Sequence, residues 1–240
     1  MSQQTVDMPA GEEQITLIPL KGMRGSIARN MTAGWQAPRV AMAVDVDLTA
    51  VTKKLVAMNA TAGSGSKVTV TAFVLHALAK ALRMHPALNA LVKDGVVERI
   101  PSIHLGLAVS IDDGLAVPVI RDAHLLTVNQ LADASRELAG GARSGKLPPK
   151  SYQGGTVTLT NLGSTGIDWF TPILNPPQVS IVGLSAVTER PVVRDGSIVV
   201  ATMTTLTLVF DHRAVDGLAR PVAFEQLQER MPKLLRRWLQ

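Results

Sequence analysis

Apolar positions along this chain recur with two different periods. Between residues 71 and 84 (TAFVLHALAKALRM) they cover most faces of a helix, leaving Lys80 and Arg83 as the charged exceptions. That is the pattern of a helix buried between a sheet and its neighbours. Helical spacing also marks 25–35, through Ile27, Ala28, Met31 and Trp35, then 48–58, 125–144 and 218–238. Short β-branched or alternating runs predict strands at 15–20, 39–47, 96–100, 105–111, 115–120, 156–160, 179–187 and 198–203. Asp112-Asp113-Gly114 and Arg194-Asp195-Gly196-Ser197 predict hairpin turns. Helices interleaved with so many short hairpins predict a single α/β domain built on a mixed sheet.

One run stands out, at 204–210, where Thr205, Thr207 and Val209 alternate with Leu206, Leu208 and Phe210. It predicts a largely buried strand that delivers His212 at its end, with Asp216 four residues on and Gly217 after it. A titratable group at the mouth of an apolar strand is where a rigid scaffold would present a catalytic base. An ordinary strand-to-helix corner with a capping Asp has the same bare pattern.

Composition narrows the field. Hydrophobic content of 46% supports a full core, yet aromatics make up only 3%, so Leu, Val and Ala must fill it. Twenty-four Lys and Arg stand against nineteen Asp and Glu, a net +5 that favours an anionic ligand or an acidic partner. The basic residues are scattered, without the interleaved aromatics of a nucleic-acid surface. The absence of cysteine excludes disulfides, thiolate metal sites and a Cys nucleophile, and suits a reducing cytoplasm. No apolar stretch approaches the roughly 20 residues of a membrane span, and no signal region opens the chain.

Other features read as structure. Gly63-Ser64-Gly65-Ser66-Lys67 lacks the spacing of a phosphate loop and reads as a connection. His76 has no metal-type residue at i+4 and reads as a core or interface histidine. The Asp112-Asp113 pair reads as turn chemistry, so no metal site is expected.

Asp211-His212-Arg213-Ala214-Val215-Asp216-Gly217 resembles the active-site signature of the dihydrolipoamide acyltransferases, the acyltransferase components of 2-oxo-acid dehydrogenase complexes. Further blocks follow in that family's order. They are Met23 to Ala28 (MRGSIA), His85 to Ala90 (HPALNA), Gly114 to Asp122 (GLAVPVIRD), Ala142 to Leu147 (ARSGKL), Gly154 to Gly163 (GGTVTLTNLG) and Phe170 to Pro177 (FTPILNPP). The resemblance covers about residues 16–235. It implies a chloramphenicol acetyltransferase-like fold, a two-layer α/β sandwich whose mixed sheet is covered by helices. Chloramphenicol acetyltransferase itself is a more distant relative, usually with a second His where this chain has Asp211. The expected organisation is a flexible arm at 1–14 and one catalytic domain at 15–240, without a lipoyl or peripheral-subunit-binding domain.

The implied reaction moves an acyl group between a dihydrolipoyl thioester and coenzyme A, both substrates. Such exchange needs a base for a thiol of unperturbed pKa about 8.5 and a donor for a tetrahedral oxyanion. The resemblance gives the first role to His212 and the second to Thr160. Asp216 either fixes the His212 tautomer or pairs with an arginine, Arg24 or Arg213. Relatives are trimers whose active site lies between subunits, so a homotrimer is expected. On the coenzyme A side the resemblance places Thr32, Ser110, Asn161, Ser164, Ser185 and Val187 together with Thr160. Arg39 and Ser110 depart from the family pattern, which has His and Asp there in many members. The basic tail, with Arg236 and Arg237, argues for a trimer that does not assemble further. The acyl donor is expected to be a lipoyl group on another polypeptide, in company with other 2-oxo-acid dehydrogenase components. Two rival readings are a stand-alone acyltransferase with a different acceptor and a non-catalytic trimeric scaffold.

Overall fold

The structure, a computed structural model, describes residues 4–5, 16–61, 67–112 and 114–215. The predicted helix at 218–238, Asp216 and Gly217 lie outside the described residues.

In chain order, β1 (Gln4–Thr5) pairs antiparallel with β2 (Thr16–Leu17), followed by α1 (Gly22–Gln36), β3 (Arg39–Asp47), α2 (Thr49–Thr61) and α3 (Val70–Met84). Next come β4 (Ala90–Lys93), β5 (Val96–Arg99), β6 (Leu105–Leu107), β7 (Val109–Ile111), β8 (Gly114–Ala116) and β9 (Val119–Ile120). The chain continues through α4 (Val128–Arg143), β10 (Val157–Asn161), β11 (Ser180–Leu184), β12 (Thr188–Arg194) and β13 (Ser197–Asp211).

Seven strands form the main sheet in the order β12-β13-β11-β10-β6-β9, with β3 paired to β13. The β6-β10 and β10-β11 pairs are parallel, whereas β11-β13, β12-β13, β3-β13 and β6-β9 are antiparallel. The sheet is therefore mixed, as the hairpin-rich pattern predicts. Its spine is β13, which pairs first with β12 and then with β11 along one side while β3 runs along the other. The chain makes one 15-residue strand where two runs, 198–203 and 204–210, are predicted. No Gly or Pro interrupts it at Met203-Thr204, so nothing ends the first run.

Other predicted runs divide. The 105–111 run breaks at Ala108, whose N–H bonds to the Leu159 carbonyl at 2.9 Å, and β7 leaves the main sheet to pair with β8. The 115–120 run likewise divides between β8 and β9. An unpredicted hairpin joins β4 to β5 through Asp94-Gly95, both at positive φ. The same left-handed pair closes β12 to β13 at Asp195-Gly196.

The main core lies on one face of the sheet. Phe73, Leu75, Leu78 and Leu82 of α3 and Leu131 of α4 meet Leu105, Val157, Leu159, Val182, Leu184, Leu206, Leu208 and Phe210. With so few aromatics, Phe73 and Phe210, each at most 1% exposed, take the largest single volumes. Thr69 caps α3, accepting from the Ala72 N–H. Thr127 and Gln130 close a capping box on α4, and Arg143 sits favourably in its last turn.

A candidate active site between α1 and the sheet

β10 reads out two faces. Val157 and Leu159 are fully buried in the core under α3, and Asn161 continues that face by donating to Thr71 Oγ1 of α3 at 2.8 Å. Thr158 and Thr160 point the other way, into a cavity of about 410 Å3 roofed by α1. Two glycines shape this cavity. A Cβ on Gly34 would lie 2.1 Å from the Leu174 carbonyl oxygen, so only glycine lets α1 settle onto that backbone. A Cβ on Gly183 would lie 2.9 Å from Cζ of the Phe170 ring, so glycine there lets the tip of that ring approach β11 as part of the wall.

The walls are apolar: Ile27 and Met31 from α1, Ala108, Leu115 and Val117, Phe170, Pro172 and Ile173, and Ile181 from β11. Polar atoms are few and mostly engaged. Ser26 Oγ donates to the Gly22 carbonyl at 3.2 Å, and Asn30 Nδ2 donates to Asn175 Oδ1 at 2.7 Å. Asn175 Nδ2 donates to Thr158 Oγ1 at 3.5 Å, and Thr158 Oγ1 donates to Gln178 Oε1 at 2.6 Å. Thr160 is different, because its hydroxyl has no hydrogen-bond partner among the described residues. The cavity is therefore an apolar cup with one uncommitted hydroxyl.

His212 is elsewhere. Thr160 lies in register with Gly183, and Gly183 with Thr207. His212 follows five residues after Thr207, beyond the row formed by Val157, Ser180 and Phe210. Two ladder spacings and five strand residues put the two Cα atoms about 19 Å apart within one chain. The His212 ring is exposed and follows Phe210, 6.4 Å between ring centroids, on the side of the α3 core. One chain cannot bring this imidazole and this hydroxyl to the same carbonyl.

The turn carrying His212 is tightly held. Its N–H donates to the Pro38 carbonyl at 2.8 Å, and the Ala214 N–H closes the turn on Asp211 O at 3.1 Å. Asp211 is 3% exposed and accepts from Arg213 N at 3.0 Å, Nε at 3.0 Å and Nη2 at 2.6 Å. That hydrogen bonding raises the Arg213 guanidinium further above its ordinary range. Arg213 is thus engaged by Asp211. Arg24 has a buried Nε without a partner among the described residues. Arg39, across the ladder from Asp211, lies over the Trp35 ring at 3.4 Å and donates from Nη1 to the Trp35 carbonyl.

The residues expected at coenzyme A fall into separate places. Asn161, Ser164, Ser185 and Val187 gather at the C-terminal ends of β10 and β11, where Asn161 Oδ1 accepts the Gly163 N–H at 2.7 Å and the Val187 N–H reaches Gly163 O at 3.4 Å. Ser185 is wholly buried, and its Oγ has no partner among the described residues. Thr32 on α1 and Ser110 on β7 are exposed, outside the cavity lining. The sequence marks Met23 to Ala28 and Phe170 to Pro177 as family blocks, but their apolar residues read locally as ordinary helix and loop positions, so nothing there shows that they wall a cavity. No cluster of three metal-ligating side chains occurs among the described residues, and no helix among them is long and apolar enough to cross a membrane.

The mixed sheet with its covering helices is the fold of chloramphenicol acetyltransferase. That enzyme matches with a TM-score of 0.55 at 13% identity, over 84% of this chain and 92% of its own, a likeness of fold alone. The family model for 2-oxoacid dehydrogenases acyltransferase (catalytic domain) matches residues 12–235, and the chain belongs to that family. It is 40% identical over 212 residues to the dihydrolipoyllysine-residue acetyltransferase component of the acetoin cleaving system of Bacillus subtilis. That match covers 87% of this chain and 53% of the relative, so the chain spans about half the length of such curated relatives. Among solved structures, the Azotobacter vinelandii dihydrolipoamide acetyltransferase superposes with a TM-score of 0.88 at 34% identity, over 95% of this chain and 96% of that one. The cubic core of the pyruvate dehydrogenase multienzyme complex also gives 0.88, at 33% identity and the same coverage.

Proposed function

We propose that this chain is a coenzyme A-dependent acyltransferase that moves an acyl group between a dihydrolipoyl thioester and coenzyme A. The observation that carries the proposal is the Thr160 hydroxyl, the one uncommitted polar group among the described residues of an apolar cavity. In that environment a hydroxyl aimed at a developing oxyanion contributes about 3 kcal/mol, roughly a hundredfold in rate. His212 is the general base. Its neutral imidazole takes the proton of the attacking thiol and returns it to the leaving thiol, so both thioesters balance and no covalent enzyme intermediate forms.

The separation of about 19 Å within one chain supports a site shared between two copies, imidazole from one and hydroxyl from the next. A homotrimer is the assembly we assign. Asn161, Ser164 and Val187, with the exposed Thr32 and Ser110, form the coenzyme A side, and Ser185 supports it from below. The buried, unpartnered Arg24 Nε favours Arg24 over Arg213 as the partner of Asp216. The lipoyl group is supplied in trans, alongside other 2-oxo-acid dehydrogenase components, and a chain without cysteine suits the cytoplasm.

Acyl exchange between acetyl-CoA and free dihydrolipoamide tests the proposal. Transfer by the wild type that His212→Ala abolishes is the expected result. Coenzyme A binding without transfer to any dihydrolipoyl acceptor overturns it.

A further inference from the structure

Among the described residues nothing fixes the direction of the His212 imidazole by touching it. Among the described residues no side chain hydrogen-bonds that ring, and the ring is exposed. Its backbone, in contrast, is held from three directions. The N–H goes to Pro38 O, the preceding Asp211 N–H goes to Val179 O at 2.8 Å, and the turn closes through Ala214. The remaining tie is the carboxylate of Asp211, buried beneath the turn, which accepts both the backbone N–H and the side-chain fork of Arg213. The pair straddles His212 in the sequence, one partner on each side. The Arg213 side chain is half exposed, and the fork to Asp211 holds it folded back.

We infer that Asp211 and Arg213 are positioning residues, a two-sided clamp that sets the His212 ring for proton transfer through the backbone instead of through a hydrogen bond to the imidazole. The inference rests on His212 being the base. Its physical content is geometric. A planar guanidinium reaches both carboxylate oxygens while its own main-chain N–H reaches one of them, and a lysine ammonium supplies the charge without that fork. Charge alone is a weak candidate for the role, because carboxylate and guanidinium neutralise each other beside the ring. Misplacing a reacting group by about 1 Å can cost up to about a hundredfold in rate.

The test compares Asp211→Asn, Arg213→Gln and Arg213→Lys with the wild type in the intact assembly. Acyl exchange is measured with KM for coenzyme A and dihydrolipoamide, beside thermal melting and a crystal structure of Arg213→Lys. The clamp predicts kcat lower by roughly 10- to 100-fold in all three, with both KM values held and the fold intact. Arg213→Lys should be no better than Arg213→Gln, and its imidazole should be rotated from the wild-type direction. Full kcat in Arg213→Lys would reduce the pair to a charge effect and overturn the clamp. A raised KM for coenzyme A at unchanged kcat would make Arg213 a substrate contact, with the same consequence. His212→Ala separates the two levels of the argument. If it retains full exchange, the base assignment fails and takes the clamp with it. If it is inactive while all three clamp variants are fully active, the clamp alone fails.

Discussion

Two defective versions of this chain should repair each other. His212→Ala removes the imidazole proposed as base and leaves the hydroxyl, whereas Thr160→Val removes the hydroxyl and leaves the imidazole. Within one chain the two positions lie two strands and five residues apart, about 19 Å. A carbonyl in hydrogen-bond reach of both groups needs them within about 6 Å of each other, so side-chain motion cannot close the gap. If a neighbouring copy supplies the partner group, each site draws its imidazole and its hydroxyl from different chains. Equal co-expression with random assembly then leaves about one site in four with both groups intact. Each variant alone should fall to about one hundredth of wild-type exchange or less. The mixed assembly, purified through a different tag on each chain, should therefore recover to about a quarter of wild type. Acetyl transfer to dihydrolipoamide is the assay, with wild-type chains carrying both tags as reference. Activity of the mixture no higher than the mean of the two variants would refute the shared site.

Thr160→Ser should keep most activity where Thr160→Val loses about a hundredfold in kcat, measured by the same exchange. Gly34→Ala should destabilise the chain by about 1–3 kcal/mol in urea unfolding, because its methyl meets the Leu174 backbone, which cannot rotate away. Gly183→Ala should push Phe170 into the cavity and raise KM for the thiol that enters there. Burial lowers the pKa of His76, aided by Lys80, and lowers that of His104 by the same cause against the opposing pull of Asp122. The unfolded chain then binds more protons than the folded one as pH drops below about 6.5, so stability should fall through that window toward the lower folded values. His76→Gln should flatten the slope in pH-dependent melts.

Much of the scaffold is legible residue by residue. The alternation at 39–47 predicts β3 with the observed bounds, and the apolar run at 71–84 predicts α3 to within a residue. Local pattern fails where pairing decides. Ala108 reads like its neighbours, and only the change of partner after it, from β10 to β8, shows that the chain leaves the main sheet there. The β4 strand is missed because it is short and runs on from the Pro86 turn, although Asp94-Gly95 signals the hairpin. At the site, Thr160 is legible as the end of a strand before a glycine turn. The cavity it faces is not, since its roof comes from α1 more than a hundred residues earlier and its wall from the 170–175 segment. Asp211 reads in the sequence as the first residue of the family signature and as a departure from a more distant relative, with no role attached to it. Its burial and its hold on Arg213 appear once the turn is folded.

Among the described residues β3 pairs with β13 alone, leaving nine residues of backbone along one margin of the sheet. Its outward face carries Arg39, Ala41, Ala43, Asp45 and Asp47, with Asp45 held by Thr205 Oγ1 at 2.6 Å and Asp47 by Arg194. Such a border is a template for runaway strand addition and fibril growth, and fixed charges along it act as gatekeepers. Replacing Asp45 and Asp47 with valine would remove that protection and leave a smooth, sticky ribbon along which copies add and precipitate on concentration.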